Sequence, residues 1–375
     1  MKTFNILLIK LSVLFLLLAM LLPASAKQQN KKVLMVVTSY GQQQGEEKPG
    51  YEFDEFAKAY SVFKANNIDV DVASPKGGKV VADKYDENKP YNVPVLADNA
   101  IMNKLDNTIA TANVNAENYD GIFIVGGKGA MFDLPKDVAL QQTIASLYQA
   151  QGSIAAVCHG PAALVDVKLS NGRYLVANKK VNAFTNKEEK LFGKKWLKQF
   201  EFMLEDKLIE RGAKFQSSDI MLSHVAVDGR LITGQNPTST TDVAIELVKS
   251  LGLTPIKTQY YTDDKTMALI AKVLKNDANA LNTLKTEQEN YHIPLVGMYG
   301  FYYLKVAEST QHFEQALSLM LVAQKAINNP VLDMKIAKTQ HKLGKNNAAR
   351  ATLEQVLQST PDHQGALEML KTLSL

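Results

Sequence analysis

Residues 153–164 read SIAAVCHGPAAL: a small-to-apolar run, then Cys158, His159, Gly160 and Pro161, then apolar residues again. The β-branched and alanine run predicts a buried strand, and a proline at the first turn predicts that a helix follows. A strand that breaks into a helix at a nucleophile is an elbow. It exposes the side chain, and the helix start aims backbone N–H groups at it. Such a site lowers a thiol pKa from about 8.5 into the ~3.5–7.5 range. A cysteine merely buried in a strand-to-helix turn is the competing interpretation. Cys158 is the only cysteine of 375 residues, so it has no internal disulfide partner.

Working outward, the same alternation repeats from residue 32 to 252. KKVLMVVTS, IDVDVASP, YDGIFIVGG and GRLITGQNP predict strands, and KKVNAFT predicts a further one. YEFDEFAKAYSVFKANN, ALQQTIASLYQAQG, FEFMLEDKLIERG and STTDVAIELVKSLG predict helices, with PAALVDV starting another and Ser239 or Thr240 capping the last. Near-continuous apolar strands alternating with helices predict an α/β parallel sheet covered on both faces. Ligand sites in such sheets lie beyond the carboxyl ends of the strands, so VGG, AVC and AFT should converge there. Residues 74–118, rich in Asp, Asn and Lys, predict excursion loops.

From about 262 to 375 no strand pattern survives, and apolar residues follow a helical period. Residues 336–361 fit a tetratricopeptide template, with Gly344 at the inter-helix turn, Ala349 and Leu353 at the packing positions, and Pro361 closing the second helix. Residues 298–330 form a looser copy, with Ala316, Met320 and Ala323 in the matching places. This predicts an all-α tetratricopeptide-like domain that either binds a protein partner, self-associates or simply caps the α/β domain.

The amino end, residues 1–26, has lysines, an apolar run and an Ala24-Ser25-Ala26 site, the layout of a signal peptide cut after Ala26. A retained membrane anchor is the alternative. Cleavage predicts a periplasmic or secreted protein, and no cysteine follows the run to carry a lipid anchor. Net charge is +4, from 42 basic and 38 acidic residues. Two of the lysines leave with the leader, and the remaining balance without a basic stripe argues against nucleic-acid binding.

AVCHGPAAL, VGGKGAMFDLP, AFTNKEE, FMLEDKLIERGAKF and VDGRLITGQNPTS together resemble motifs of the ThiJ/PfpI family of the class I glutamine amidotransferase-like superfamily. The resemblance is closest to its heat-shock chaperone and glutathione-independent glyoxalase branch, and it covers about 32–252. It implies a flavodoxin-like parallel sheet sandwiched by helices. It implies Cys158 as nucleophile, His159 as proton shuttle, Glu55 as the carboxyl on the sulfur and Glu189 as the acid orienting the histidine. Asp54 and Glu188 are second choices for the two acids. Gly127 and the residue after the cysteine would supply oxyanion-hole N–H groups. Lys128 stands where this branch has histidine, so rim chemistry or substrate choice would differ. No histidine precedes His159, so the metal site of some relatives cannot be assembled in the same way, and no cofactor is expected.

The expected activity is a cofactor-independent attack on a reactive carbonyl such as methylglyoxal, forming lactate; protein deglycation shares the site. The alternatives are a client-binding chaperone using the helical repeats and a cysteine amidohydrolase or peptidase.

Overall fold

The computed structural model describes residues 30–41, 46–256 and 260–373. The predicted signal peptide lies outside the described residues.

Strands β1 (Lys32–Val36), β2 (Asp69–Ser74), β3 (Ile109–Ala110), β4 (Gly121–Ile124), β5 (Ser153–Val157), β8 (Val225–Asp228) and β9 (Leu231–Gly234) form one sheet in the order β3-β2-β1-β4-β5-β9-β8. Every pairing is parallel except β8 with β9 at the edge. The central strands are apolar at every position because both faces are covered. Val33, Met35, Phe123, Ala155 and Val157 join one core, while Leu34, Val36, Ile122, Ile124, Ile154 and Ala156 join the other. Helices α1 (Phe53–Ala65) and α4 (Thr240–Ser250) cover the first face. Helix α2 (Val138–Gln149) and the helix Leu204–Glu210 cover the second. This is the predicted flavodoxin-like sandwich. The strand order reverses direction between β1 and β4, which opens a crevice at their carboxyl ends.

Four local expectations need correction. KKVNAFT contributes only β6 (Lys180–Val181), paired with β7 (Lys214–Phe215) in a separate two-stranded ribbon. Its continuation leaves the ladder because Asn182 N–H donates to Thr233 Oγ1 and Phe184 N–H to the Cys158 carbonyl. PAALVDV forms no α-helix but a five-residue 3-10 turn, Gly160–Leu164, wholly buried beneath the sheet. Ser239 does not cap α4 with its side chain, since its Oγ accepts the His224 N–H instead. Asn236 caps the 3-10 turn that leads into the helix. The 74–118 stretch is not all loop: it holds the helices Val93–Leu96 and Asn99–Asp106 and the edge strand β3.

Beyond the sheet the described chain is entirely helical: α5 (Thr262–Leu274), α6 (Ala278–Thr286), α7 (Ile293–Tyr303), α8 (Thr310–Ile327), α9 (Pro330–Lys342), α10 (Asn346–Ser359) and α11 (Gln364–Thr372). Gly297 and Gly300 let α7 lie close against α8. A Cβ at Gly300 would sit 2.8 Å from the Ala316 carbonyl oxygen, and one at Gly297 would sit 2.6 Å from Ala323 Cβ. Gly344 turns the chain between α9 and α10 with φ +72°, and Ala349 and Leu353 are buried beside it. This region is docked on the α/β sandwich, where Ile220 and Leu222 join the core built by α5, α7 and α8. A buried ion pair, Lys58 to Asp264 at 2.7 Å, ties α1 to α5.

Candidate active site

Cys158 follows the last residue of β5 and holds φ at +60°, a left-handed conformation that costs a non-glycine residue about 1–3 kcal/mol. Two backbone bonds fix it there. Its N–H donates to the Gly234 carbonyl at 2.9 Å, and its own carbonyl accepts from Phe184 N–H at 2.9 Å. The turn is this tight because residue 160 is glycine: a Cβ there would lie 2.4 Å from the Ile124 carbonyl oxygen. Only 4% of Cys158 is exposed, so the residue is almost closed to solvent.

His159 Nδ1 lies 3.4 Å from Cys158 Sγ, and its Nε2 lies 2.7 Å from Glu189 Oε2. A carboxylate on Nε2 keeps the proton there and leaves Nδ1 unprotonated toward the sulfur. Phe184 packs on the imidazole with ring centroids 4.6 Å apart, which fixes its plane. Glu189 sits in the first turn of helix α3 (Asn186–Phe192). Its neighbour Glu188 faces the other way. It closes a capping box with Thr185 and accepts from Met221 N–H at 2.7 Å, Gln235 Nε2 at 3.0 Å and Asn236 Nδ2 at 2.9 Å. Glu188 therefore shapes the loop, and Glu189 holds the imidazole.

Glu55, fully buried on α1, accepts the Gly126 N–H at 2.7 Å through Oε2. Its Oε1 is buried without a hydrogen bond of ordinary geometry, and the carboxyl is near enough to perturb the Cys158 thiol. Asp54 points elsewhere, accepting from Tyr91 OH at 3.0 Å and Asn92 Nδ2 at 2.6 Å. Burial, reinforced by Glu52, pushes the Glu55 carboxyl well above the usual carboxylate range. A neutral Glu55 has its proton on Oε1, because Oε2 is occupied by an N–H donor. Burial likewise pushes the Cys158 thiol up, and the Glu55 charge adds to this. The expected depression by a helix start is absent, since a five-residue 3-10 turn offers little aligned dipole. The thiolate forms only while Glu55 keeps its proton.

Gly126 and Gly127 follow β4 and face this pair. A Cβ at Gly126 would sit 2.7 Å from Glu55 Oε2 and 2.8 Å from Cys158 Cβ, and Gly127 holds φ at +96°. Among the described residues, neither the Gly127 nor the His159 backbone N–H donates to a protein acceptor. Both donors are therefore unspent, which is the condition an oxyanion hole requires. Lys128 extends this rim, and its positive charge draws the proton affinities of Cys158 and Glu52 downward. The segments VGG, AVC and AFT thus meet at one edge, the last by way of α3.

Two residues escaped the sequence reading. Glu52, half-buried at the rim, is pushed up to about 7 by desolvation first and Asp54 second. Asp133 anchors the loop after β1 by accepting Thr38 Oγ1 at 2.6 Å and Ser39 N–H at 2.8 Å. Burial holds its carboxyl up at about 6. The signals were the acidic spacing of YEFDE and the buried-looking acid of FDLP, neither of which declares a direction.

A parallel α/β sheet that delivers a strained Cys-His pair to its carboxyl edge, with one acid on the sulfur and another on the imidazole, defines the α/β proteins with a cysteine elbow. Within that class the chain belongs to the DJ-1/PfpI family, whose model matches residues 48–250. It is 33% identical over 248 residues to the glutathione-independent glyoxalase hsp3101 of Schizosaccharomyces pombe, covering 59% of this chain and 97% of that protein. Rapid Encystment Protein 24 kDa of Francisella tularensis is similar in structure, with 37% identity and a TM-score of 0.56 over 59% of this chain and 99% of its own. Glyoxalase III of Candida albicans shares the fold, with 24% identity and a TM-score of 0.50 over 59% and 97% of the two chains. The family match ends before α5 begins, so the helical extension lies outside it.

Proposed function

We propose that this protein is a cysteine-dependent, cofactor-independent enzyme that converts methylglyoxal, or a similarly small 2-oxoaldehyde, to its 2-hydroxy acid. The observation that carries this is the Glu55–Cys158–His159–Glu189 array under two free N–H donors. The likeness to glyoxalases supports it.

The Cys158 sulfur adds to the aldehyde carbon, and the hemithioacetal oxygen settles against the Gly127 and His159 N–H groups. His159 Nδ1 takes the proton from that carbon, giving an enediol, and returns it to the neighbouring carbon. The product is a thioester of the 2-hydroxy acid on Cys158. Water then cleaves the C–S bond, releasing lactate and returning a proton to the sulfur. The sum is one methylglyoxal plus one water to one lactic acid. Glu55 holds the proton that lets thiolate and carboxyl share one buried site, and Glu189 steadies the imidazolium while it exists.

Following methylglyoxal loss and lactate formation with purified protein tests this. Wild type should turn over, and Cys158→Ala should lose activity by at least 10³-fold. Equal rates in the two proteins would end the proposal.

We further propose that the helical extension is built of tetratricopeptide-like hairpins, which the Gly344 turn and the buried Ala349 and Leu353 support. Export by the amino-terminal leader is proposed from its sequence layout alone.

A further inference from the structure

Glu189, whose carboxylate holds the His159 imidazole at 2.7 Å, rides on α3, a helix of only seven residues. A helix this short has little stability of its own, so its placement comes from what packs on it. Its two ends are held by different parts of the molecule. The α/β region holds the amino end. There the Thr185 capping box closes the first turn, the Glu205 carboxylate accepts the Asn186 N–H at 2.7 Å, and Asp206 accepts Asn186 Nδ2 at 2.7 Å.

The carboxyl end is shared with the helical extension. Leu191 packs against the core built by α5, α7 and α8. The Phe192 ring touches the first core of the sandwich on one side and meets the Tyr302 ring of α7 on the other, with centroids 4.9 Å apart. Met221, whose N–H binds Glu188, packs against the same helical core. Lys187 and Glu308 add an ion pair at 3.2 Å, but both are exposed, where such pairs contribute little. Tyr302 and Glu308 lie beyond the family match at 48–250.

Glu189 lies between the two anchored ends, and its carboxylate is packed under the chain as it leaves α3. Gly193 N–H donates to the Glu189 carbonyl at 2.8 Å, and Glu189 Oε1 fills the space that a Cβ at residue 193 would need. Any shift of the Phe192–Gly193 end therefore moves the carboxylate. A displacement of about 1 Å takes it out of hydrogen-bond range of Nε2. Misplacing a catalytic group by this much can cost about 10²-fold in rate.

We propose that the helical extension is a working part of the active site, with Tyr302 as a positioning residue whose ring, through Phe192, fixes the end of α3 and so keeps Glu189 on His159. The proposal rests on the proposed role of Cys158, His159 and Glu189 in turnover.

Methylglyoxal kinetics of full-length variants test it. Tyr302→Ala should lower kcat about tenfold or more and leave KM within about twofold, while Tyr302→Phe, which keeps the ring, should match wild type. In a Glu189→Gln background Tyr302→Ala should cost nothing further, because the carboxylate it positions is gone. Leu353→Ala, in a separate core of the extension, should lower the urea midpoint and leave kcat unchanged. The His159 Nε2–H signal in spectra of protein labelled with 15N-histidine, assigned with His159→Gln, reads the contact without substrate. It should persist in Tyr302→Phe and move upfield in Tyr302→Ala. Circular dichroism shows which variants are folded; if Tyr302→Ala is not, Tyr302→Leu, which keeps apolar bulk without a ring, takes its place. Wild-type kcat and an unmoved signal in the ring-less variant, the same fold-loss with and without Glu189, a defective Tyr302→Phe, or an equal fall in kcat from Leu353→Ala would each overturn the proposal. If wild type fails to consume methylglyoxal, the substrate reading falls instead, and the His159 signal alone decides the role of Tyr302.

Discussion

Glu188 and Glu189 are adjacent, chemically identical and both buried, yet they do different work because helix α3 turns them about 100° apart. Glu189→Gln should keep the fold and lower kcat by about 10²–10⁴, since the imidazole loses the carboxylate that fixes its tautomer. Glu188→Ala should instead leave donors of Thr185, Met221, Gln235 and Asn236 unpaired and cost on the order of 3 kcal/mol. Kinetics and urea denaturation of the two variants, run side by side, distinguish these outcomes; reversed results would contradict the assignment. Glu52 makes a pH prediction. With a pKa of about 7, it is neutral in acid and gains its charge as pH rises through neutrality. That charge opposes both Glu55 and Cys158 ionisation, so it works against the thiolate. Glu52→Gln should raise kcat/KM several-fold above pH 7 and change it little below pH 6. An unchanged pH–rate profile would show that Glu52 does not influence the thiol. The sequence supplied the residue types at this scale. It did not supply the direction of the Cys158 shift, because desolvation depends on what the rest of the chain stacks over the sulfur.

At the scale of elements, the strands were the most legible part, since an apolar residue at every position has one economical explanation, burial on both faces. The elbow was legible as a turn but not as a helix. Pro161 permits an α-helical start, yet the described chain makes only 3-10 bonds and then folds back, Leu175 N–H donating to the Val167 carbonyl at 2.8 Å. Gly160 is the residue on which the elbow depends. Gly160→Ala would press a methyl group against the Ile124 carbonyl in rigid backbone, so a loss of about 3 kcal/mol is expected. The urea midpoint measures this, and a wild-type midpoint would mean the turn has slack. KKVNAFT misled because two β-branched or lysine-flanked residues suffice for a strand signal, whereas its continuation is claimed by Thr233 and Cys158.

Across the whole molecule, the helical extension grips the catalytic layer through Lys58 and Asp264, which are 206 positions apart in the chain. Both side chains are more than nine-tenths buried, so removing one strands the other's charge. Asp264→Asn should cost about 3–5 kcal/mol, while Lys58→Met with Asp264→Leu should recover most of it. Fluorescence of the single tryptophan, Trp196, in the α/β region reports the transition in urea. A single-variant loss under 1 kcal/mol would show that the two regions are held by apolar contact alone.

By itself the sequence determined the layered α/β plan, the helical character after residue 262, and the identity of the sulfur, imidazole and acids that gather at the sheet edge. The layered plan and the helical character follow from periodicity and the Cys158-His159 turn from turn chemistry, which are local; Glu55 and Glu189 were implied by the family resemblance. Tertiary structure alone decided which acid of each neighbouring pair faces inward, how strongly burial raises Glu55 and Cys158, and that the helical extension packs on the end of α3. Each of those depends on contacts between segments far apart in the chain, and no local pattern encodes the low-polarity surroundings that such contacts create.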